Sequence, residues 1–242
     1  MKLEEFLEKN NENYDFKNES PTDKVKNEED PIKKFLLYHL DYAKTRFDCD
    51  CCELAKEMYK KLWSLSDKEL NSYDCDTMNS FSRVYRLLLK SYDDVYWKKA
   101  EISHPPTRSK WLLKDEVYEH YKVINENESV KEFARLTHTL GNFTLIPKGF
   151  NVKRNTLHHD YWDLTLQYFK VFLGDTAFVP FVEKYYYKNY LDEEKVELYW
   201  EGHSLNQIAL PRDLSYGQII EIIEKMNGKI KARGKEILEE LK

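Results

Sequence analysis

The sequence predicts a mainly α protein of the α+β kind: a helical bundle carrying a minimal antiparallel hairpin or sheet around residues 138–147 and 196–200. Three observations predict it. Apolar residues recur with the 3.6-residue period of a helix through most of the chain. Glycine and proline are scarce, seven of each in 242 residues, as suits helices joined by short loops. Against that background Leu140 to Ile146 alternates with the strand period.

The elements follow in order. Residues 1–30 are rich in Asn, Glu, Lys and Asp, with apolar anchors only at Phe6, Leu7, Tyr14 and Phe16. Such a segment buries too little surface to offset its ordering entropy alone. It reads as an acidic, polar arm, flexible or docked as an extended strap, before a single mainly helical domain over 31–242. Asp30 before Pro31 is an N-cap with proline at the first helical position, and Ile32, Phe35, Leu36, His39, Leu40 and Ala43 mark one face. A second helix is predicted from about Cys52 to Leu65, and a third after Asp76 as cap, with Phe81, Val84, Tyr85, Leu88 and Tyr92 inward. The other side of that third helix carries Arg83, Arg86 and Lys90, a basic stripe that serves either as a solvated face or as an anion contact.

Pro105-Pro106 predicts an irregular loop from Ile102 to Trp111. Ser129 to Glu132 reads as a capping box opening a short helix. The strand over Leu140 to Ile146 ends at Pro147-Lys148-Gly149, and Val196 to Trp200 is its candidate partner. Asp160 caps a helix that Gly174 stops; further helices are predicted from about Val179 to Leu191 and from Ser215 to Leu241. In the last of these, Ile219, Ile222, Ile223, Met226, Ile230, Ile237 and Leu241 form a long stripe that Gly228 and Gly234 weaken locally.

Net charge is −5 and the pI near 5.9, so a basic field over the whole chain is excluded and any nucleic-acid binding must use a local patch. No apolar run is long enough to span a bilayer, and the N-terminus is acidic, unlike a signal peptide. The expectation is therefore a cytoplasmic protein without membrane association, its thiols reduced. Cys49 and Cys52 have C-x-x-C spacing, but no second pair or nearby histidine completes a zinc knuckle, so Cys49, Cys51, Cys52 and Cys75 read as structural or surface thiols.

The densest run of polar chemistry is Leu136 to Leu166, LTHTLGNFTLIPKGFNVKRNTLHHDYWDLTL. Within it, Leu140-Gly141-Asn142-Phe143-Thr144-Leu145-Ile146-Pro147, followed by Asn151, resembles part of the HNH nuclease domain of GmrSD-type modification-dependent restriction endonucleases. The resemblance implies a finger that clasps one Mg²⁺ or Mn²⁺ ion, with Asn142 and Asn151 as its asparagines and metal ligands. It also implies a histidine general base. The family places that base in an acidic-His-Ile-x-Pro strand; here His104 stands in Ile-Ser-His-Pro-Pro, and His138 is the other candidate. Lys148, Lys153 and Arg154, with Arg83 and Arg86, are the residues expected to meet phosphate.

A second resemblance spans more of the chain. Tyr14-Asp15-Phe16, Leu62-Trp63-Ser64, Thr77-Met78-Asn79-Ser80-Phe81, His138 to Thr144, Gly149-Phe150-Asn151 and Asp160 to Leu166 occur in an order similar to that of a family of uncharacterised bacterial and phage proteins. It implies a shared fold and a mobile-element setting. Two functions are therefore expected: action on, or binding of, nucleic acid through an HNH-like segment, or non-catalytic binding that modulates or inhibits a host defence protein. Beside these stand plainer roles. Asn142 and Asn151 satisfy turns or strand-edge backbone, and the lysines and arginines are surface charge.

Overall fold

Capping chemistry and a few buried polar anchors set the boundaries of the helices. A computed structural model describes residues 1–101, 105–150, 162–192, 195–196 and 214–242. The first thirty residues hold α1 (Leu3–Lys9), a 3₁₀ turn at Phe16–Glu19 and α2 (Asp23–Lys26). They are part of the core, which corrects the expectation of a flexible arm. Phe6, Phe16 and Val25 are buried, and the Phe16 ring lies 4.8 Å from that of Phe143. Lys17 is buried too, its ammonium 2.9 Å from the Asp15 carboxylate and donating to the Ala134 carbonyl at 3.0 Å. A few well-placed anchors thus outweigh a polar average.

Asp30 opens α3 (Pro31–Thr45), accepting from the backbone N–H groups of Ile32 and Lys33. Then come α4 (Glu53–Trp63), α5 (Asp67–Leu70), β1 (Tyr73–Thr77) and α6 (Phe81–Tyr92). Asp76 lies in β1 and Ser80 takes the cap position of α6. Next are α7 (Asp94–Glu101) and α8 (Pro105–Leu112). The expected irregular loop is a helix because both prolines fall in its first turn, where a missing N–H costs nothing.

After α9 (Asp115–His120) and α10 (Lys122–Asn125) comes α11 (Glu128–Leu136), capped by Asn127 at 3.1 Å from the Val130 N–H. Ser129, expected as that cap, instead donates to Glu224. A 3₁₀ turn at Leu140–Asn142 leads into β2 (Phe143–Pro147). The rest is α12 (Trp162–Leu173), α13 (Asp175–Lys184), β3 (Leu191–Asp192), β4 (Lys195–Val196) and α14 (Tyr216–Leu241), the last opened by the Ser215–Gln218 capping box.

The sheet is small, as the sequence predicts, but its pairing differs. β2 runs antiparallel to β1, with Thr77 opposite Phe143, Cys75 opposite Leu145 and Tyr73 opposite Pro147. β4 pairs with β3 instead, and residues 197–200 lie outside the described residues. Tyr-Asp-Cys-Asp-Thr carries too little apolar signal to announce a strand; β2, with Phe143 to Ile146 all buried, supplies the hydrophobic side of the pair.

α14 packs its apolar stripe against α11 and the 140–142 turn. Backbone meets backbone there. A Cβ on Gly141 would collide with the Ile230 carbonyl oxygen, and one on Gly234 would lie 3.2 Å from the Glu12 carbonyl. Gly228, by contrast, faces open space. Gly141→Ala is therefore expected to destabilise by more than about 3 kcal/mol, whereas Gly228→Ala should stabilise by roughly 0.5–1 kcal/mol through helix propensity. Urea denaturation of the two variants checks the pair of signs.

Candidate functional site

Four elements meet around an open cleft of about 250 Å³. α3 lends Phe35, Tyr38, His39 and Tyr42, which share one face by their i, i+3, i+4, i+7 spacing. The turn after α3, which begins at Arg46 with φ 58°, brings in Asp48 and Asp50. Asp76 and Thr77 come from the end of β1, Ser80 and Phe81 from the start of α6, and Thr137 and His138 from the segment after α11.

Side chains pin that turn in place. The Tyr38 hydroxyl accepts from the Cys49 N–H at 3.2 Å and donates to Asp48 at 3.4 Å, while the Tyr59 hydroxyl donates to the Asp50 carbonyl at 2.7 Å. His138 sits edge-on to Tyr38 at 4.7 Å and parallel to Phe35 at 5.9 Å.

The electrostatics are unusual. Among the described residues no lysine or arginine lines the cleft, and three aspartates do. His138 is 8% exposed and its Nδ1 has no hydrogen-bond partner among the described residues. Burial, then the nearby Lys17 charge and His39, hold its pKa well below the usual imidazole range. Burial likewise pulls His39 down to about 4 against the opposing pull of Asp48. Asp50 is 7% exposed, and its Oδ1 receives no donor from the described residues. Burial, then the charge and direct contact of Asp48, then Asp76, push its carboxyl well above the ordinary range.

The residues expected from sequence divide differently. Asn142 is fully buried and committed. Its Oδ1 accepts from the Asn79 N–H at 3.0 Å and from Asn79 Nδ2 at 2.9 Å; its Nδ2 donates to the carbonyls of Asn79 and Thr137, each at 2.8 Å. A carboxamide offers two acceptor positions and two donors, and all four are used. Asn142 therefore has no lone pair to give the metal that the nuclease resemblance assigns to it, and works as a clamp between residues 137–142 and 79. His104, Asn151, Lys153 and Arg154 lie outside the described residues.

The described basic candidates are dispersed. Lys148 is exposed in the turn beyond the Tyr73 end of the hairpin, whereas α6, with Arg83 and Arg86, starts from the Thr77 end. Arg86 packs over the Trp97 ring at 5.9 Å. Among the described residues, no group of three His, Cys, Asp or Glu side chains is placed to hold a metal ion.

Sequence reasoning missed Asp48, Asp50 and Asp76 and assigned His39 to an apolar face. The available signal was Asp48-Cys49-Asp50, a carboxylate pair at alternate positions in a turn and flanked by thiols. Comparison with family models, with curated proteins and with solved structures finds no match for this chain.

Two stability effects follow. The folded state keeps His39 neutral while the unfolded chain protonates it near 6.5, so stability is expected to fall as the pH drops from about 6.5 to about 4. Asp50 has the opposite sign, because the fold holds a proton that the unfolded chain releases at the ordinary carboxyl pKa. Asp50→Asn should therefore melt at a higher temperature than the parent at pH 7, and His39→Gln should flatten the acid limb; calorimetry across pH reads both. Asn142→Ala, which strands buried donors and acceptors on Asn79 and Thr137, should cost about 3 kcal/mol or more.

Proposed function

We propose that the protein holds a small polar ligand in the cleft between α3, β1, α6 and His138, and that the cleft is an acid–base site. The neutral imidazoles of His138 and His39 are its proton acceptors, and Asp50, whose carboxyl burial and the neighbouring Asp48 push toward the protonated form, is its donor. One observation carries the reading: two nearly buried polar side chains from distant parts of the chain, His138 and Asp50, line one opening, and each keeps an atom that the described residues do not satisfy. Buried polar atoms are ordinarily paired, and leaving them so costs roughly 1–3 kcal/mol each. A ligand that brings a donor to Asp50 and to His138 a proton or a hydrogen-bond donor removes that cost.

The pairing of perturbed acids and bases in a concave site supports proton handling. Action on nucleic acid is the weaker reading, because among the described residues the cleft carries three aspartates and no lysine or arginine, which opposes a phosphate backbone.

The test is a fragment screen read by imidazole NMR resonances and thermal shift. Ligands are expected to move the His138 and His39 signals, and His138→Gln should weaken them at least tenfold. Cleavage of DNA or RNA by the purified chain, dependent on Mg²⁺ or Mn²⁺ and untouched by His138→Gln, would put the nuclease reading in its place.

A further inference from the structure

We propose that the occupant of the cleft is an organic cation, an alkylammonium or guanidinium compound, received by the carboxyl groups of Asp48, Asp50 and Asp76 and by the aromatic rings beside them. This rests on the small-ligand reading above and names its ligand class.

Charge is the first argument. Asp50 is faced by Asp48 and Cys51 from its own turn and by Asp76 from β1, with Tyr59 of α4 on its backbone carbonyl. Across the cleft stand Tyr38, His39 and Tyr42 of α3, and His138. Among the described residues, the cleft side chains able to become cationic are the two histidines, and burial keeps both neutral near pH 7. Lys17, whose charge is felt at His138, is already paired with Asp15 and donates to the Ala134 carbonyl. An anion entering this site would meet the carboxyl groups of three aspartates.

Hydrogen bonding is the second argument. Asp50 Oδ1 needs a donor and His138 Nδ1 is without a partner. An ammonium brings three donors, a guanidinium five in a planar fork suited to carboxylates. The aromatic rings of Phe35, Tyr38 and Phe81 line the same cavity and offer faces or edges to a cation or to the apolar body that carries it. A bare metal ion is disfavoured by the absence, among the described residues, of a three-ligand cluster.

Titration calorimetry of the full chain with agmatine and with benzylamine reads the proposal. Benzyl alcohol, acetate and Mg²⁺ are the comparators. Saturable binding of the cations, at least tenfold tighter than that of the neutral alcohol, is the expected result. Asp50→Asn should fold and bind the cations at least tenfold more weakly. Preference for Mg²⁺, acetate or the neutral alcohol overturns the cation class but leaves a small-ligand cleft standing. If neither these compounds nor any fragment of the screen binds, the small-ligand reading itself falls.

Discussion

One buried guanidinium holds the centre of this fold. Arg233 of α14 is fully buried, and among the described residues its hydrogen-bond partners are carbonyl oxygens and not carboxylates. Nη1 donates to Gly141 and Phe143 at 2.8 and 2.6 Å, Nε donates to Tyr185 at 3.1 Å, and the Tyr187 ring lies under the charge at 4.4 Å. Carbonyl dipoles and a π-face thus carry the solvation that a counterion would normally supply. Removing such a group leaves three carbonyls buried without a donor, a loss of a different order from trimming a surface charge. The close glycine contact of Gly141 with α14 works only because this fork fixes the depth of approach.

The rest of the site hangs from that clamp in sequence. Arg233 holds Gly141 and Phe143, and Asn142 lies between them. Asn142 grips Asn79 through both ends of its carboxamide, and Thr137 adds a hydroxyl that accepts from the Phe81 N–H and donates to the Asn79 carbonyl. Thr165 of α12 ties down the neighbouring Met78 carbonyl. These bonds set where β1 ends and α6 begins, and so where Asp76, Ser80 and Phe81 stand along the cleft. On the other side the Phe16 ring meets that of Phe143 edge-on, and the Phe16 N–H donates to the His138 carbonyl at 2.9 Å, so the N-terminal segment fixes the wall that carries the imidazole.

How much of this was legible in the sequence depends on whether a signal was local. Helical periodicity and caps are local, so α3, α4 and α14 could be read almost to their ends from Asp30, Pro31, Ser215 and the isoleucine stripe, whereas α6 was read from its apolar face but opens at Ser80 and not at Asp76. β1 could not, because Asp74 and Asp76 break any apolar alternation and its hydrophobic support comes from β2, some seventy residues later. Pro105 and Pro106 read as a break because proline's effect depends on position within a helix, which sequence alone did not fix. The N-terminal segment read as an arm because composition averages away Phe16 and Lys17. The cleft was least legible of all. Phe35, Asp50, Asp76 and His138 come from four elements, and nothing in the pattern of any one of them announces the others.

His138 and Asn142 show why a dense polar stretch is a poor guide to which of its residues carry function. Four positions apart, they were marked by the same signal: hydrogen-bonding groups among bulky apolar ones. Asn142 turned toward Asn79 and spent every donor and acceptor it has on the protein, so its polarity is consumed in making the fold. His138 turned the other way, into an opening shared with Asp50, and kept a nitrogen that the described residues leave unmatched. Composition cannot separate these two cases, because the difference lies in whether hydrogen-bonding capacity is exhausted inside the molecule. A chain that selection had tuned for stability alone would have closed the second case as thoroughly as the first, with an apolar ring at 138 and an amide at 50. That it instead keeps an imidazole and a carboxyl group with unmatched atoms along the same small volume is what makes the cleft, and not the asparagine clamp beside it, the place to look for chemistry.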